Sequence, residues 1–270
     1  MNPNKALWEK GDFTRIAESM RESGTTLINT IGVEKDMKVM DLGCGDGTTA
    51  LPAARCGADV IGVDIASNLV AAGNKRATQE GLVNCQFVEG DASDLRGHAD
   101  SSYDLVVSVF GAMFAPKPFD VASEMVRVAK PGGRIVMGNW IPNDPTLVAQ
   151  ILKICAAYTP PPPEGFISSM TWGIEANVTE RFVAAGISEN RVSFCRDTFT
   201  FAAPISPTRF MNNFKEYYGP TMNAFEAAKK VDKAVELEQE LEQLFNAQNK
   251  NEKIDTMSIP ATYLRVTVET

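Results

Sequence analysis

At 270 residues, with 44% hydrophobic and 22% charged, the chain has an ordinary globular composition, can bury a core, and has no apolar run long enough to span a membrane. A formal net charge of −8 repels polyphosphate, and no run of Lys or Arg with interleaved aromatics offsets it, which disfavours nucleic acid and leaves a small molecule as the expected partner. Five cysteines (Cys44, Cys56, Cys85, Cys155, Cys195), odd in number and without a C-x-x-C pair, argue against a disulfide framework and a structural zinc site, and no metal is expected. The opening Met1-Asn2-Pro3-Asn4-Lys5 has no secretory pattern after it, so a cytoplasmic location is expected.

Between about residues 38 and 140, short apolar runs of β type alternate with amphipathic helical stretches, the pattern of βαβ units and a parallel sheet. Run 38–42 is followed by a glycine-rich turn and a helix to about Cys56. Run 59–64 leads to a helix from Ser67, a fitting N-cap, to about Glu80, with Gly81 as the stop. Residues 86–88 and 103–109 read as the third and fourth strands, 118–129 as helix, 130–133 as a tight turn and 134–140 as the fifth strand. Five such strands with right-handed crossovers make an α/β, Rossmann-like, doubly wound sheet.

A helix over about 144–158 then runs into four prolines at 160–163, which favour an extended conformation. Helical stretches recur near 175–185, 207–218 and 220–249. Alternating strands at 191–201 and 262–268 are expected to pair as an antiparallel edge on the parallel sheet. With no repeat or long linker, the chain reads as one domain, 1–270, with a core at about 36–140 and a cap of helices and late strands at about 141–270. An apolar stripe from Val231 through Val235, Leu237 and Leu241 to Phe245 either covers the active site or makes a dimer contact, so monomer and homodimer both stay open.

The strongest signal is Asp41-Leu42-Gly43-Cys44-Gly45-Asp46-Gly47, directly after a strand and before a helix. Glycines there admit a ligand close to the backbone, and the helix start presents unpaired N–H groups. Such glycines also simply make tight turns. Their neighbours point further: Asp64, at the tip of the second strand, can accept hydrogen bonds from ribose hydroxyls, and Glu89-Gly90-Asp91-Ala92 puts another acid at the tip of the third. The spacing G-x-G-x-G departs from the G-x-G-x-x-G of NAD sites. A pyrophosphate beside Asp41 and Asp46 would also be repelled, by roughly 4 kcal/mol for unit charges about 4 Å apart at an effective dielectric of 20. A cationic ligand would be attracted.

These motifs, with Val63-Asp64, Gly90-Asp91-Ala92, Tyr103-Asp104 and Lys130-Pro131-Gly132-Gly133, resemble in order and spacing those of the class I S-adenosylmethionine (SAM)-dependent methyltransferases, over about residues 36–140. The subtype resembles the branch of small-molecule methyltransferases that includes the ubiquinone and menaquinone C-methyltransferases. The resemblance implies a seven-stranded sheet with an antiparallel last strand, SAM as cofactor and methyl transfer to a small molecule. It places Gly43, Cys44, Gly45 and Gly47 along the methionine part, Asp41 near its amino group, Asp64 and Ile65 at the ribose, Asp91 and Ala92 at the adenine, and Ser108, Val109 and Phe110 beside the methyl group. Phe110-Gly111-Ala112-Met113-Phe114-Ala115-Pro116 and Trp8-Glu9-Lys10-Gly11-Asp12-Phe13 are similar to segments of that branch without fixing a substrate.

On the acceptor side the candidates are Phe110, Met113, Phe114, Asn139, Trp140, Trp172 and Tyr217; each aromatic has core packing as its plain alternative. Tyr217 and Tyr218 are candidate bases, and the single histidine, His98, sits in a polar loop. Two further readings stand beside the methyltransferase: a non-catalytic SAM-binding or regulatory protein, and an NAD-dependent oxidoreductase, for which no Tyr-x-x-x-Lys is present.

Overall fold

The computed structural model describes residues 4–253 and 255–270; the amino-terminal segment read as lacking a secretory signal begins outside them. Three helices open the chain, α1 (Asn4–Lys10), α2 (Thr14–Ala17) and α3 (Arg21–Ile31), the last stopped by Gly32 in the left-handed region. Strands and helices then alternate: β1 (Lys38–Leu42), α4 (Ala50–Arg55), β2 (Asp59–Asp64), α5 (Ser67–Gln79), β3 (Cys85–Glu89), β4 (Tyr103–Val109), α6 (Pro118–Val128) and β5 (Ala129–Trp140). Helices cover both faces, so the central strands are buried almost continuously and read as unbroken apolar runs. The remainder is α7 (Leu147–Tyr158), α8 (Glu175–Ala184), β6 (Val192–Ala203), α9 (Pro207–Tyr217), α10 (Gly219–Lys229), α11 (Ala234–Gln248) and β7 (Met257–Glu269). None of the helices among the described residues is long and apolar enough to cross a membrane.

The seven strands lie in the order β3-β2-β1-β4-β5-β7-β6. Neighbours from β3 to β5 pair in parallel, and β7 runs antiparallel to both β5 and β6. The mostly parallel sheet with an antiparallel last strand is therefore as expected, and the order reverses between β1 and β4. In α/β sheets that reversal opens a crevice at the carboxyl ends of the strands.

Three details depart from the sequence reading. Lys130-Pro131-Gly132-Gly133, expected as a turn before the fifth strand, lies inside β5 as a bulge: Asp104 alone faces these four residues, with Gly132 at positive φ and Lys130 paired to Asp104. β7 begins earlier than expected and includes Pro260. That proline pairs with Thr200 on one side only, since β5 meets β7 from Tyr263 onward, so its missing N–H falls on the open edge. The stretch 220–249 is two helices, not one. Asp232 in left-handed conformation ends the first, and Val231 and Val235 are exposed, while Leu237, Leu241 and Phe245 make the buried stripe.

Candidate active site

A cavity of about 910 Å³, counting its open mouth, lies at the carboxyl ends of β1, β2, β3 and β4, at the crevice the strand order creates. The turn after β1 supplies Gly43, Cys44, Gly45 and Asp46; Asp64 ends β2 and Ile65 follows it; Gly90 and Ala92 follow β3; Val109 ends β4 and Phe110 follows it.

Two glycines of the turn act differently. Gly43 (φ +69°) packs backbone to backbone on Gly111: a Cβ at Gly43 would lie 2.6 Å from the Gly111 Cα. That contact joins the loops after β1 and β4 and leaves no room for a side chain. Gly43→Ala is expected to lower the unfolding free energy by about 2–4 kcal/mol in urea titration, from the clash and the left-handed backbone together; a loss below about 0.5 kcal/mol would show that the two loops can part freely. Gly45 (φ +55°) instead faces open space, with Phe13 4.0 Å from where its Cβ would be, so bare backbone borders the cavity.

The acids are more differentiated than the sequence implies. Asp64 is buried; its Oδ2 accepts the Gly45 N–H at 2.8 Å and its Oδ1 the Ala66 N–H at 2.9 Å. These bonds fix the carboxylate at the cavity wall and leave lone pairs for a ligand. Burial raises its pKa, and the backbone bonds oppose the rise. Asp41 sits behind the turn, wholly buried, with Oδ2 accepting the Thr49 hydroxyl at 2.5 Å and Oδ1 without a hydrogen-bond partner. Burial pushes its pKa up to about 7, against the pull of Thr49, with nearby Asp64 adding to the rise. Asp46 lines the cavity, but Arg21 and Arg76 each approach its Oδ2 to 3.2 Å, and Arg76 also donates to its carbonyl oxygen at 2.7 Å. Asp46 therefore does not draw a cation to the turn, contrary to the expectation from sequence, because two guanidinium groups from α3 and α5 already compensate its charge.

A second, smaller cavity, about 320 Å³ counting its open mouth, adjoins the first and shares Trp8, Phe13, Met20, Phe110 and Phe114 with it. Its other walls are Ile16, Trp140, Val148, Phe201, Phe214 and Tyr218. Phe110, at positive φ (58°), stacks on Trp140 with ring centroids 3.6 Å apart and planes 8° apart, and Tyr263 meets it edge-on. Such a backbone conformation is costly for a bulky residue and occurs where packing compels it. α1 closes over both cavities. Trp8 meets Phe114 and Tyr218 edge-on, Glu9 accepts from the Ser67 N–H and hydroxyl at the start of α5, Lys5 pairs with Glu89, and Lys10 pairs with Glu226 of α10.

Of the residues singled out from the sequence, Gly43, Cys44, Gly45, Asp64, Ile65, Ala92, Val109, Phe110 and Phe114 border the first cavity, and Phe110, Phe114, Trp140 and Tyr218 the second. Others are placed elsewhere. Gly47 turns inward, where a Cβ would lie 2.7 Å from the Phe87 ring. The Ser108 hydroxyl donates to the Leu42 carbonyl at 2.6 Å and accepts the Ala112 N–H at 2.9 Å, holding the loops beneath the cavity. Asp91 accepts from Ser93 within its own turn. Met113 and Asn139 are buried and border neither cavity, as does Trp172, which lies under the Arg181 guanidinium at 4.5 Å. Tyr217 also borders neither. His98 bonds to Tyr103 at the first residue of β4, about 20 Å of strand from Val109. Absent from the sequence reading as site residues were Asn4, Trp8, Phe13, Met20, Val148, Phe201 and Phe214. Only the Trp8-to-Phe13 segment carried any signal, and nothing in it says where the helix docks.

Comparison with known proteins agrees with this geometry. Residues 40–137 match the family described as methyltransferase domain. Uncharacterized proteins of Mycobacterium bovis and Mycobacterium tuberculosis are 33% identical over 225 residues, 82% of this chain and 79% of theirs. A demethylmenaquinone methyltransferase of Renibacterium salmoninarum is 32% identical over 134 residues, 48% of this chain and 54% of that protein. The YcgJ protein of Bacillus subtilis, 19% identical, has the same fold, with a TM-score of 0.58 over 92% of this chain and 98% of that one. The chain belongs to the class I SAM-dependent methyltransferases. Its cofactor is SAM and its activity is methyl transfer; the oxidoreductase reading falls away.

Proposed function

We propose that the first cavity holds SAM and the second the small molecule that receives the methyl group. The observation that carries the reading is the wall the two cavities share, formed by Trp8, Phe13, Met20, Phe110 and Phe114. The first cavity fits the cofactor by its own chemistry: bare backbone at Gly45, an anchored carboxylate with free lone pairs at Asp64, and a buried, unpartnered oxygen on Asp41 behind the turn. Asp64 would hold the ribose hydroxyls, Ile65 and Ala92 would flank the base, and Gly43, Cys44 and Gly45 would border the methionine part. Asp41 would act on the amino group from behind the turn. When bound, SAM supplies a methyl group on a positively charged sulfur, open to in-line displacement. Phe110 and Trp140 orient the acceptor against the shared wall, and α1 keeps water from it.

The whole described chain serves as one methyltransferase unit, in which the amino-terminal helices join the cap at 141–270 on the acceptor side. The five free thiols suit a reducing, cytoplasmic setting. A monomer is the simpler state, because Leu237, Leu241 and Phe245 of α11 are already buried inside the chain; sedimentation at several concentrations tests it, and a concentration-dependent mass would favour the homodimer.

The deciding experiment is calorimetric titration with SAM, with its demethylated product S-adenosylhomocysteine and with NADH. Binding of the first two alone supports the reading. Binding of neither overturns it. Binding of SAM with no methyl release to any acceptor would favour the non-catalytic alternative.

A further inference from the structure

We propose that a groove between α3 and β6, apart from the two cavities described above, is a binding site for an aliphatic amine with an ammonium group at each end, a diamine or polyamine. Its shape, the direction of its hydrogen bonds and its apolar floor each point to that guest.

The groove is a third cavity, about 880 Å³ counting its open mouth. Glu22, Ser23, Thr26 and Thr30 line it from one face of α3, and Asp197, Thr198 and Thr200 line it from β6. β6 is the outermost strand on this side of the sheet, and Ser23 holds α3 to its open edge. The Ser23 hydroxyl donates to the Thr200 carbonyl at 2.9 Å and accepts the Thr200 N–H at 3.0 Å. Both walls are therefore fixed to each other.

The α3 wall turns acceptors toward the groove. Thr26 and Thr30 donate their hydroxyl protons to carbonyl oxygens of their own helix, at 3.1 and 2.8 Å, so lone pairs are what remain for a guest. Glu22 adds an exposed carboxylate with no ion pair among the described residues. On the opposite wall, Asp197 accepts the Thr198 N–H at 2.8 Å with one oxygen, and its other oxygen lies 3.6 Å from Arg265 Nε. Arg265 partly meets that charge, so Glu22 is the stronger of the two anchors. No Lys, Arg or His is among the described lining residues. A guest must bring donors and positive charge, and an anion is repelled from both walls.

The rest of the lining selects what joins the charges. Leu27 and Phe199, both buried, and Ala202 offer an apolar surface on which methylene groups pack. A bare metal ion gains nothing from such a surface, and no three metal-ligating side chains come together among the described residues. A methylene chain with terminal ammonium groups meets the carboxylates and the floor at once. Phe199 and Tyr263, which line the groove, meet Phe110 edge-on at 5.1 and 5.3 Å, so the site lies directly behind a wall of the second cavity.

The test is calorimetric titration of the full chain, without SAM, with spermidine and putrescine at about 0.15 M salt, where surface attraction is largely screened. Butane-1,4-diol, which has hydroxyls in place of the putrescine ammonium groups, and magnesium chloride are the controls. One saturable site per chain is expected for both amines and none for either control. Glu22→Gln, at an exposed position without an ion pair, keeps the fold and should weaken spermidine about tenfold; Asp197→Asn should weaken it about threefold. Glu164→Gln, in the exposed loop after the four prolines, should leave binding unchanged. Equal weakening by all three substitutions, or several amines bound per chain, would mean that the amines only follow the net charge of −8, and would overturn the proposal. Saturable binding of magnesium or of the diol would overturn it too, as would no amine binding up to about 5 mM. Because SAM is left out, failure here is separate from failure of the cofactor assignment.

Discussion

Asp64→Ala is expected to weaken SAM binding by about 100-fold or more in calorimetry, because a hydrogen bond to a charged group contributes about 1.5–3 kcal/mol and the carboxylate is positioned to make two to a ribose. The substitution also removes the acceptor for the Gly45 and Ala66 N–H groups, so part of the loss would come from a loosened turn. Asp64→Asn separates the two effects. It keeps one oxygen for the backbone but loses the charge and half the accepting capacity, and a loss of roughly tenfold is expected. Binding within threefold of the parent in Asp64→Ala would mean that the nucleoside lies elsewhere in the cavity.

Asp41→Asn should move stability and cofactor affinity in opposite directions. In the folded protein the Asp41 pKa is raised from 3.8 to about 7, mainly by burial. Between about pH 4 and pH 7 the folded state therefore holds a proton that the unfolded chain has released. Stability accordingly falls as pH rises through that window, and above it the full penalty, on the order of 4 kcal/mol, is present. Asn carries no such penalty while it can still accept from Thr49. The variant is expected to gain about 2 kcal/mol or more at pH 8 in urea titration, with the gain vanishing below about pH 4. The parent's SAM affinity should rise roughly tenfold from pH 6 to pH 8 as Asp41 ionises toward a cationic ligand, and the variant's should stay flat. A variant no more stable than the parent at pH 8 would show that Asp41 is better solvated than its burial indicates.

This opposition explains why a buried carboxyl with an unpartnered oxygen persists behind the turn. Such a group weakens the empty protein, and sites that must bind charge commonly keep such groups. It also shows what a linear reading can and cannot reach. The glycine turn, the tips of β2 and β3 and the late antiparallel pairing were legible because each depends on residues close in sequence or on strand periodicity. The charge state of the turn was not. Asp46 looks like a free acid until α3 and α5 bring Arg21 and Arg76 to it from 25 and 30 positions away.

The lining of the second cavity was illegible for a related reason. The aromatic residues nominated there, Trp140, Trp172, Tyr217 and Tyr218, are alike in composition and differ only in where their elements dock. Trp140 and Tyr218 face the second cavity, Trp172 pairs with Arg181 beneath α8, and Tyr217 turns from both. The decisive walls came from the two ends of the chain's organisation at once, with Trp8 and Phe13 before the first strand and Phe201 and Phe214 after the fifth. No spacing rule links residues nearly 200 positions apart.

The place of β7 between β5 and β6 bears on how the molecule is made. During synthesis β6 emerges before β7, so the strand that carries Phe201 has no neighbour in the sheet until Met257–Glu269 arrive. The five parallel strands can assemble first and the cofactor crevice with them, since none of their pairings waits for later residues. The wall of the second cavity has to follow. Until Met257–Glu269 have emerged, the edge of β5 lacks its antiparallel neighbour and is open to pairing with another chain.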